Sequence, residues 1–263
     1  MTDQPLVTLH RDGAVLTLTF QNPPDGLMDA AVLAALDDAL EIIEAASRAP
    51  DAPVRAVVFT GGVPGAFIRH YDVREIGSVL GERAHRAVPR THAIYDRVQA
   101  LPVPTIAAIN GACMGGGLEF ALCCDLRYAA ADAGPFGFPE ITVGIFPGAG
   151  GTQRAARAIG PARALELMLT GRTFGAEEAY ALGLVHGVFA DLPAHAREVA
   201  KRLSRRPAAT VSAIKVLVAG NAEVEMSEGL AAESRRFIGL LAHDGEVKTL
   251  LERFLAQSDP VAR

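Results

Sequence analysis

The chain has few cysteines and no excess of positive charge, and both shortages narrow the classes of protein it can belong to. Its 263 residues include 25 Lys and Arg against 30 Asp and Glu, a formal net charge of −5. This acidic balance argues against a surface built for nucleic acid or for an anionic membrane. The three cysteines, Cys113, Cys123 and Cys124, are an odd number in an apolar stretch, and the adjacent pair is poorly placed for a disulfide. We therefore expect buried thiols in a reducing compartment and a cytoplasmic protein.

Several signatures of membrane, metal and nucleotide binding are also missing. Glu119 and Asp125 interrupt the most apolar region before it reaches the length of a bilayer span. The opening ten residues have neither the basic start nor the apolar segment of a secretory signal. The glycines from Gly148 onward do not complete a dinucleotide fingerprint, and no P-loop or G-x-S-x-G elbow occurs. We expect no membrane or nucleic-acid partner, no metal and no redox cofactor.

Hydrophobic periodicity predicts alternating strands and helices in the first half of the chain, which favours an α/β fold with a wound sheet. The predicted elements are strands over 14–20, 54–60 and 101–109 and helices over 29–47, 83–99 and 118–126. Residues 63–76 are interpreted as a loop, of the kind that carries functional groups at the ends of strands. Beyond Gly151 the pattern is helical. The helices predicted there cover 152–159, 163–169, 176–182, 192–203, 208–219 and 225–241.

A glycine triplet, Gly115 to Gly117, lies between the apolar strand and the helix predicted after it. Glycines at such a junction leave backbone N–H groups uncovered at the positive end of a helix, where negative charge is stabilised. Glu119 falls in the first turn of that helix, and Glu140 follows a second glycine-marked turn. Two carboxyl groups close together in a dry site cannot easily both ionise, so one can act as acid and the other as base. The pattern suggests chemistry on a carbonyl, although a tight turn and a helix-dipole partner would also account for it.

Several motifs in a fixed order resemble the enoyl-CoA hydratase/isomerase (crotonase) family over nearly the whole chain. They are PTIAAING from Pro104, GGGLEFA from Gly115, FPEI from Phe138 and GIFPGAGGTQR ending at Arg154. The resemblance implies an α/β, crotonase-like fold of repeated ββα units with a helical C-terminal region. We expect a catalytic core over 1–200 and a helical region over 201–263 that serves trimerisation and covers the CoA side. Homotrimers or homohexamers (dimers of trimers) are implied as the assembly.

The resemblance also implies a substrate and a set of roles. The substrate is an acyl-CoA thioester, with coenzyme A present only as part of it, and fatty acid metabolism is the implied context. The backbone N–H groups of Tyr71 and Gly116 form the implied oxyanion hole, while Glu119 is the base for water and Glu140 the proton donor. The implied reaction is that of a lyase, which adds water across the 2,3 double bond of an enoyl-CoA. Further positions implied to bind substrate are Ala66, Ile68, His70, Asp72, Gly115, Gly117, Pro139 and Gly148.

The chain departs from the family pattern around the first oxyanion donor. Small residues are usual there, whereas this sequence has Arg69, His70 and Tyr71. An altered pocket follows from this, with His70 either a third acid/base group or a locally packed side chain. The alternatives are another crotonase-type reaction, namely isomerisation, decarboxylation or thioester hydrolysis, and a non-catalytic acyl-CoA-binding paralogue. Retention of both glutamates favours hydration.

Overall fold

A computed structural model describes residues 4–79 and 81–256 of the chain. Among these residues strands and helices alternate along the chain as far as Phe189, and only helices follow it. The ten strands among these residues are β1 (Val7–Asp12), β2 (Val15–Phe20), β3 (Ala56–Gly61), β4 (Ala66–Ile68), β5 (Thr105–Ile109), β6 (Ala112–Met114), β7 (Leu126–Ala130), β8 (Phe136–Gly137), β9 (Thr173–Phe174) and β10 (Val188–Phe189). The α-helices are α1 (Ala30–Ser47), α2 (Val73–Ser78), α3 (Ala84–Ala100), α4 (Gly116–Ala121), α5 (Gly151–Ile159), α6 (Pro161–Thr170), α7 (Ala176–Leu182), α8 (Leu192–Leu203), α9 (Ala208–Ala219), α10 (Met226–His243) and α11 (Gly245–Leu255).

The strands form two sheets, and successive strands of the chain enter them in turn. The larger sheet has the order β1-β2-β3-β5-β7-β10, with β1 antiparallel to β2 and the other neighbours parallel. The smaller sheet has the order β4-β6-β8-β9. In three consecutive units the first strand (β3, β5, β7) joins the large sheet and the second (β4, β6, β8) joins the small one. The chain therefore repeats a ββα pattern.

The segments that follow the strands β4, β6 and β8 meet at one edge of the small sheet. Its neighbouring strands β4, β6 and β8 are parallel, so their carboxyl ends lie at one edge. Hydrogen bonds continue the pairing to that edge, with the amide of Met114 donating to the carbonyl of Arg69 at 2.9 Å and the amide of Gly115 to that of Gly137 at 2.9 Å. The segments after these three strands consequently meet, although they are distant in sequence.

Apolar side chains fill both faces of the large sheet. On one face the ring of Phe120 from α4 meets Phe20, Phe59 and Tyr95 edge-on, with centroids 5.1, 5.2 and 5.5 Å apart. Aromatic pairs in this arrangement add to the free energy gained from burial. On the other face Val15 and Val58 belong to a second cluster that packs against α8. The sheet is covered on both sides, as expected for mostly parallel strands.

The chain divides into two units, one ending at Ser204 and the other beginning at Arg205. The second unit contains α9, α10 and α11, and it encloses a cleft of about 540 Å³ lined by Pro207, Thr210 and side chains of α11. Many of its large apolar side chains are exposed in the single chain. They are Ile214, Val216, Val218, Val224, Met226, Leu230, Phe237, Ile238, Leu241, Leu250, Leu251, Phe254 and Leu255. Among the described residues no helix is long and apolar enough to cross a membrane.

Most predicted helices are confirmed, and those over 176–182, 192–203 and 208–219 coincide with α7, α8 and α9. Two predictions are wrong. The segment 63–76 is not only a loop, because it contains β4 and α2. The helix predicted over 118–126 begins earlier and ends at Ala121, since Leu126 is already the first residue of β7, paired with Ile106. The strands β1, β6, β7, β8, β9 and β10 and the helix α11 were not predicted, and β5 begins only after Pro104, which has no N–H for a ladder.

Candidate active site

Two backbone amides lie close together at the carboxyl edge of the small sheet. Tyr71 follows β4 and pairs with Met28, using the carbonyl of His70 and the amide of Asp72. In a parallel bridge of this kind the N–H of the central residue turns to the opposite side. Gly116 lies there: a methyl group placed on it would be 3.5 Å from the nitrogen of Tyr71.

Neither amide of this pair donates a hydrogen bond to another described residue. For Gly116 this follows from its position as the first residue of α4, since the first N–H groups of a helix have no partner within it. The buried hydroxyl of Tyr95 donates to the carbonyl of Gly116 at 2.9 Å and so holds the start of the helix in place. Two free amides fixed side by side can stabilise an oxygen on which negative charge develops.

Glu119 is one turn further along α4 and is almost completely buried, at 2% exposure. Its Oε1 accepts hydrogen bonds from the amides of Ala149 and Gly151, each at 2.7 Å. Burial raises the pKa of this carboxyl, and the two amide hydrogen bonds oppose that rise. Gly151 has to be glycine here, because a methyl group would lie only 2.9 Å from the same oxygen.

Glu140 lies after β8, in a short 3₁₀ helix (Pro139–Val143), and its environment differs from that of Glu119. Its Oε2 is buried and has no hydrogen-bond partner among the described residues. Its Oε1 lies over Gly115, where a methyl group would be 2.5 Å away. Desolvation raises the pKa of Glu140 to about 7; the backbone amide of Glu140 itself opposes the rise, and the nearby charge of Glu119 adds to it. A carboxyl group with this pKa can donate a proton at neutral pH.

The side chain of Tyr71 has its own partners outside the amide pair. It packs partly buried against the core, and its hydroxyl donates to Oε1 of Glu75 at 3.4 Å. Burial raises the pKa of this phenol, so it stays neutral. His70 is also half-buried, with Nδ1 2.8 Å from the carbonyl oxygen of Tyr71. Both large side chains that replace the expected small residues therefore have local partners.

Some of the other residues predicted to bind substrate lie at the site, and others pack the small sheet against α4. Gly115 borders the Glu140 carboxyl, and Pro139 directly precedes Glu140 as the first residue of the 3₁₀ helix. Ala66 and Ile68 are buried within β4, and a methyl group on Gly117 would lie 2.0 Å from the carbonyl oxygen of Ile68. These three residues hold the small sheet against α4.

Two further predicted residues have their polar groups engaged elsewhere. Asp72 caps α2, where its carboxylate accepts from the amide of Arg74 at 2.8 Å and also forms an ion pair with that side chain. The carbonyl of Gly148 is 2.6 Å from Nε2 of His92 on α3. Arg154 on α5 forms an ion pair with Asp96 on α3 at 2.5 Å.

Sequence reasoning missed the residues that hold the two functional elements in place. The amides of Ala149 and Gly151, the hydroxyl of Tyr95 and the ring of His92 were not predicted as parts of the site. The Gly-Gly pair at the start of α5 was the available signal, because it opens a helix and leaves amides that need an acceptor. The identity of that acceptor, Glu119, depends on contacts 30 and 32 positions apart in the chain.

Fold and site together define a class of protein, an α/β protein in which two carboxyl groups and two backbone amides without a donor bond among the described residues lie at one edge of a small, mostly parallel sheet. Comparisons with known proteins agree with this description. The profile of the family described as "Enoyl-CoA hydratase/isomerase" matches residues 10–261. The chain is 34% identical to a "Probable enoyl-CoA hydratase" of Bacillus subtilis over 97% of both chains. It is 36% identical to "Probable enoyl-CoA hydratase echA8" of Mycobacterium bovis over 91% of both.

Solved structures agree as well. A crystal structure of an enoyl-CoA hydratase from Geobacillus kaustophilus superposes with a TM-score of 0.89 at 29% identity, covering 97% of this chain and 95% of that one. One from Bacillus anthracis gives 0.86 at 31% identity, covering 94% and 95%. The protein belongs to the enoyl-CoA hydratase/isomerase family and has the crotonase fold that its motifs predicted.

Proposed function

We propose that the protein is an enoyl-CoA hydratase, a lyase that adds water across the 2,3 double bond of an enoyl-CoA thioester. The observation that carries this proposal is the contrast between the two buried carboxyl groups. Glu119 has an oxygen held by two amides, whereas Glu140 has a buried oxygen without a partner and a pKa of about 7. Although burial raises the pKa of both groups, we assign the ionised form to Glu119, whose oxygen has two donors, and the proton to Glu140, because addition of water requires one base and one acid.

In the proposed reaction the thioester oxygen lies between the amides of Tyr71 and Gly116. Glu119 takes a proton from water, and the water oxygen bonds to Cβ of the substrate. The electron pair of the 2,3 double bond moves toward the carbonyl, and the enolate oxygen is stabilised by the two amides, each worth about 3 kcal/mol. Glu140 then gives its proton to Cα, and the product is a 3-hydroxyacyl-CoA. Glu119 ends protonated and Glu140 ionised, and exchange with solvent restores both.

The experiment is product analysis with purified protein on crotonyl-CoA, longer 2-enoyl-CoAs, 3-enoyl-CoAs and saturated acyl-CoAs. Formation of 3-hydroxyacyl-CoA supports the proposal. A shifted double bond, carbon dioxide or free CoA as the main product would instead indicate an isomerase, a decarboxylase or a thioester hydrolase. Tight binding of acyl-CoA without any product would indicate a non-catalytic binding protein.

Glu119→Gln and Glu140→Gln, each made alone, test the assigned roles. Loss of either acid–base group is expected to lower kcat by about 10²- to 10⁴-fold. Glu177→Gln is a matched control, because Glu177 is exposed on α7 and has no role in the proposed reaction. Full activity in either active-site variant would show that the carboxyl group concerned does not transfer the proton.

Three further properties belong to the same proposal. We propose that the chain assembles as a trimer or a dimer of trimers, which the many exposed apolar side chains of its second unit support. We propose a cytoplasmic location, supported by three buried cysteine side chains, and a role in fatty acid metabolism. We also propose that no metal or redox cofactor is needed, so that dialysis against a chelator leaves the hydration rate unchanged.

A further inference from the structure

His92 is tied to a loop that lies more than fifty positions away in the chain. Its Nε2 is 2.6 Å from the carbonyl oxygen of Gly148. A carbonyl oxygen only accepts, so the ring must donate from Nε2. His92 projects from α3 and is largely exposed, and its neighbours Tyr95 and Ile94 on that helix are buried.

The acceptor of this bond is one end of a peptide group whose other end serves the site. The carbonyl of Gly148 and the amide of Ala149 belong to the same peptide group, which is planar with its C=O and N–H pointing in opposite directions. The amide end donates to Oε1 of Glu119 at 2.7 Å. The His92 ring is therefore connected to the Glu119 carboxylate by two hydrogen bonds that share one peptide group.

We propose that His92 is a positioning residue for Glu119, acting through the Gly148–Ala149 peptide group. The hydrogen bond from the ring fixes the plane of that peptide and aims its N–H at the carboxylate. Donation to a carbonyl also polarises the amide of the same group, so the bond to Glu119 is strengthened. The inference rests on the proposed function, in which Glu119 activates water.

A second residue holds the same loop, and comparison with it shows why His92 is the better probe. Arg154 donates to the carbonyl of Ala149 at 3.1 Å and pairs with Asp96 at 2.5 Å. Its side chain is only 16% exposed, so its loss would disturb packing and charge together. His92 is exposed, so its replacement can weaken the alignment of the loop while the fold is retained.

The charge environment agrees with this arrangement. His92 lies close enough to Glu119 to lower the pKa of its carboxyl, and Arg154 acts in the same direction. The other ionisable groups that interact with Glu119 are Glu140, Tyr95 and Cys123. None of these is changed by a substitution at position 92.

The test compares His92→Leu with His92→Gln in the full-length protein. Leucine removes the donor, and we expect kcat for hydration to fall about tenfold, the equivalent of one ordinary hydrogen bond, while KM changes less than about twofold. The side-chain amide of glutamine can place a donor where Nε2 of histidine lies, so kcat should return to within about twofold of the wild-type value. The low-pH limb of the kcat/KM profile should move to higher pH in His92→Leu, and His92→Gln, which restores the hydrogen bond but not the charge, should reverse part of that shift.

His85→Leu is the matched control, since His85 is exposed in the first turn of the same helix. It should behave as the wild type. A His92→Leu enzyme with unchanged kcat and an unchanged low-pH limb would overturn the inference. So would a loss that glutamine does not restore, or one that His85→Leu shares.

Failure of the positioning role of His92 can be distinguished from failure of the proposed hydratase function. If the wild-type protein hydrates no enoyl-CoA, crystal structures of the wild type and His92→Leu still decide the question. Rotation of the Gly148–Ala149 peptide away from Glu119 in the variant would support the positioning role. An unchanged distance from the Ala149 amide to Oε1 would refute it.

Discussion

Two glutamates with the same side chain have different acid–base properties because their neighbours differ. Glu119 and Glu140 are both desolvated, and desolvation raises the pKa of both. Glu119 has two donors from a distant segment, the amides of Ala149 and Gly151, and these stabilise its ionised form, whereas the backbone donor that lowers the pKa of Glu140 is its own amide. Glu140 has one buried oxygen with no such donor among the described residues. The difference in hydrogen bonding assigns base and acid without any difference in residue type.

This assignment predicts a bell-shaped dependence of kcat/KM on pH. As the pH rises above about 7, Glu140 loses its proton in the free enzyme and can no longer donate it, so the rate falls. At low pH Glu119 becomes protonated and can no longer accept a proton, so the rate falls there too. Since the two groups interact, the apparent pKa values belong to the pair. Rates measured from about pH 4 to about pH 9 check this, and a profile that stays flat above about pH 7 would contradict it.

The unpartnered carboxyl also predicts a cost in stability. The folded pKa of Glu140, about 7, lies above its unfolded value of about 4.3, so the contribution of this group to stability falls as the pH rises between them. Glutamine cannot ionise, so Glu140→Gln should be more stable than the wild type at about pH 8, by about 1–3 kcal/mol. Near pH 4 the difference should disappear.

Urea unfolding of both proteins at the two pH values measures this effect. Glu177→Gln is the control and should match the wild type at both. A Glu140→Gln protein that is less stable than the wild type at about pH 8 would show that the carboxylate has a stabilising partner.

At the scale of secondary structure, the site exists because short parallel strands end at one edge. β4, β6 and β8 have two or three residues each, yet they bring Tyr71, Gly116 and Glu140 together. The small sheet is held to α4 by close contact, because the carbonyl of Ile68 lies where a side chain at Gly117 would be. The glycines of the triplet thus have separate tasks: room for Glu140, a free amide, and contact with β4.

Because the hydroxyl of Tyr95 holds Gly116, the first residue of α4, we expect Tyr95→Phe to affect both stability and activity. This change removes the 2.9 Å hydrogen bond to the carbonyl of Gly116 without leaving a cavity. We expect the free energy of unfolding to fall by about 1 kcal/mol. We also expect kcat to fall several-fold, because the amide of Gly116 is no longer held in position.

Urea unfolding and steady-state kinetics measure the two effects. Tyr180→Phe is the control, since Tyr180 is 53% exposed on α7 and should tolerate the change. A Tyr95→Phe enzyme with lowered stability but unchanged kcat would show that the placement of Gly116 does not limit the reaction.

At the scale of the whole molecule, the second unit has more exposed apolar surface than a solitary chain would carry. On α10, Phe237 and Ile238 are 60% and 64% exposed. We expect the protein in solution to have a mass several-fold that of one chain, and Ile238→Glu to lower it. Arg236→Glu, on the other side of α10, is the control and should leave the mass unchanged.

Light scattering coupled to size-exclusion chromatography measures these masses. A wild-type protein with the mass of a single chain would contradict the proposed trimer. So would an Ile238→Glu protein whose mass equals that of the wild type at low protein concentration.

The sequence by itself determined the elements whose signals are local. The helices α7, α8 and α9 were predicted with their observed bounds, since glycine, proline and aspartate mark their ends and apolar residues recur at helical spacing. The motifs around Gly115, Glu119 and Glu140 identified the family for the same reason, because each is contiguous in the chain. These features need no knowledge of distant contacts.

Only the tertiary structure decided how these pieces form a site. Strands of two or three residues are too short for periodicity to reveal, so the small sheet, and the wrong loop prediction over 63–76, depended on pairing between distant segments. The partners of Glu119 lie about thirty positions away, and the absence of a partner for Glu140 among the described residues is a property of packing. The sequence shows that both residues are glutamates. Their pKa values, however, depend on burial and on long-range hydrogen bonds, which arise only when the chain has folded.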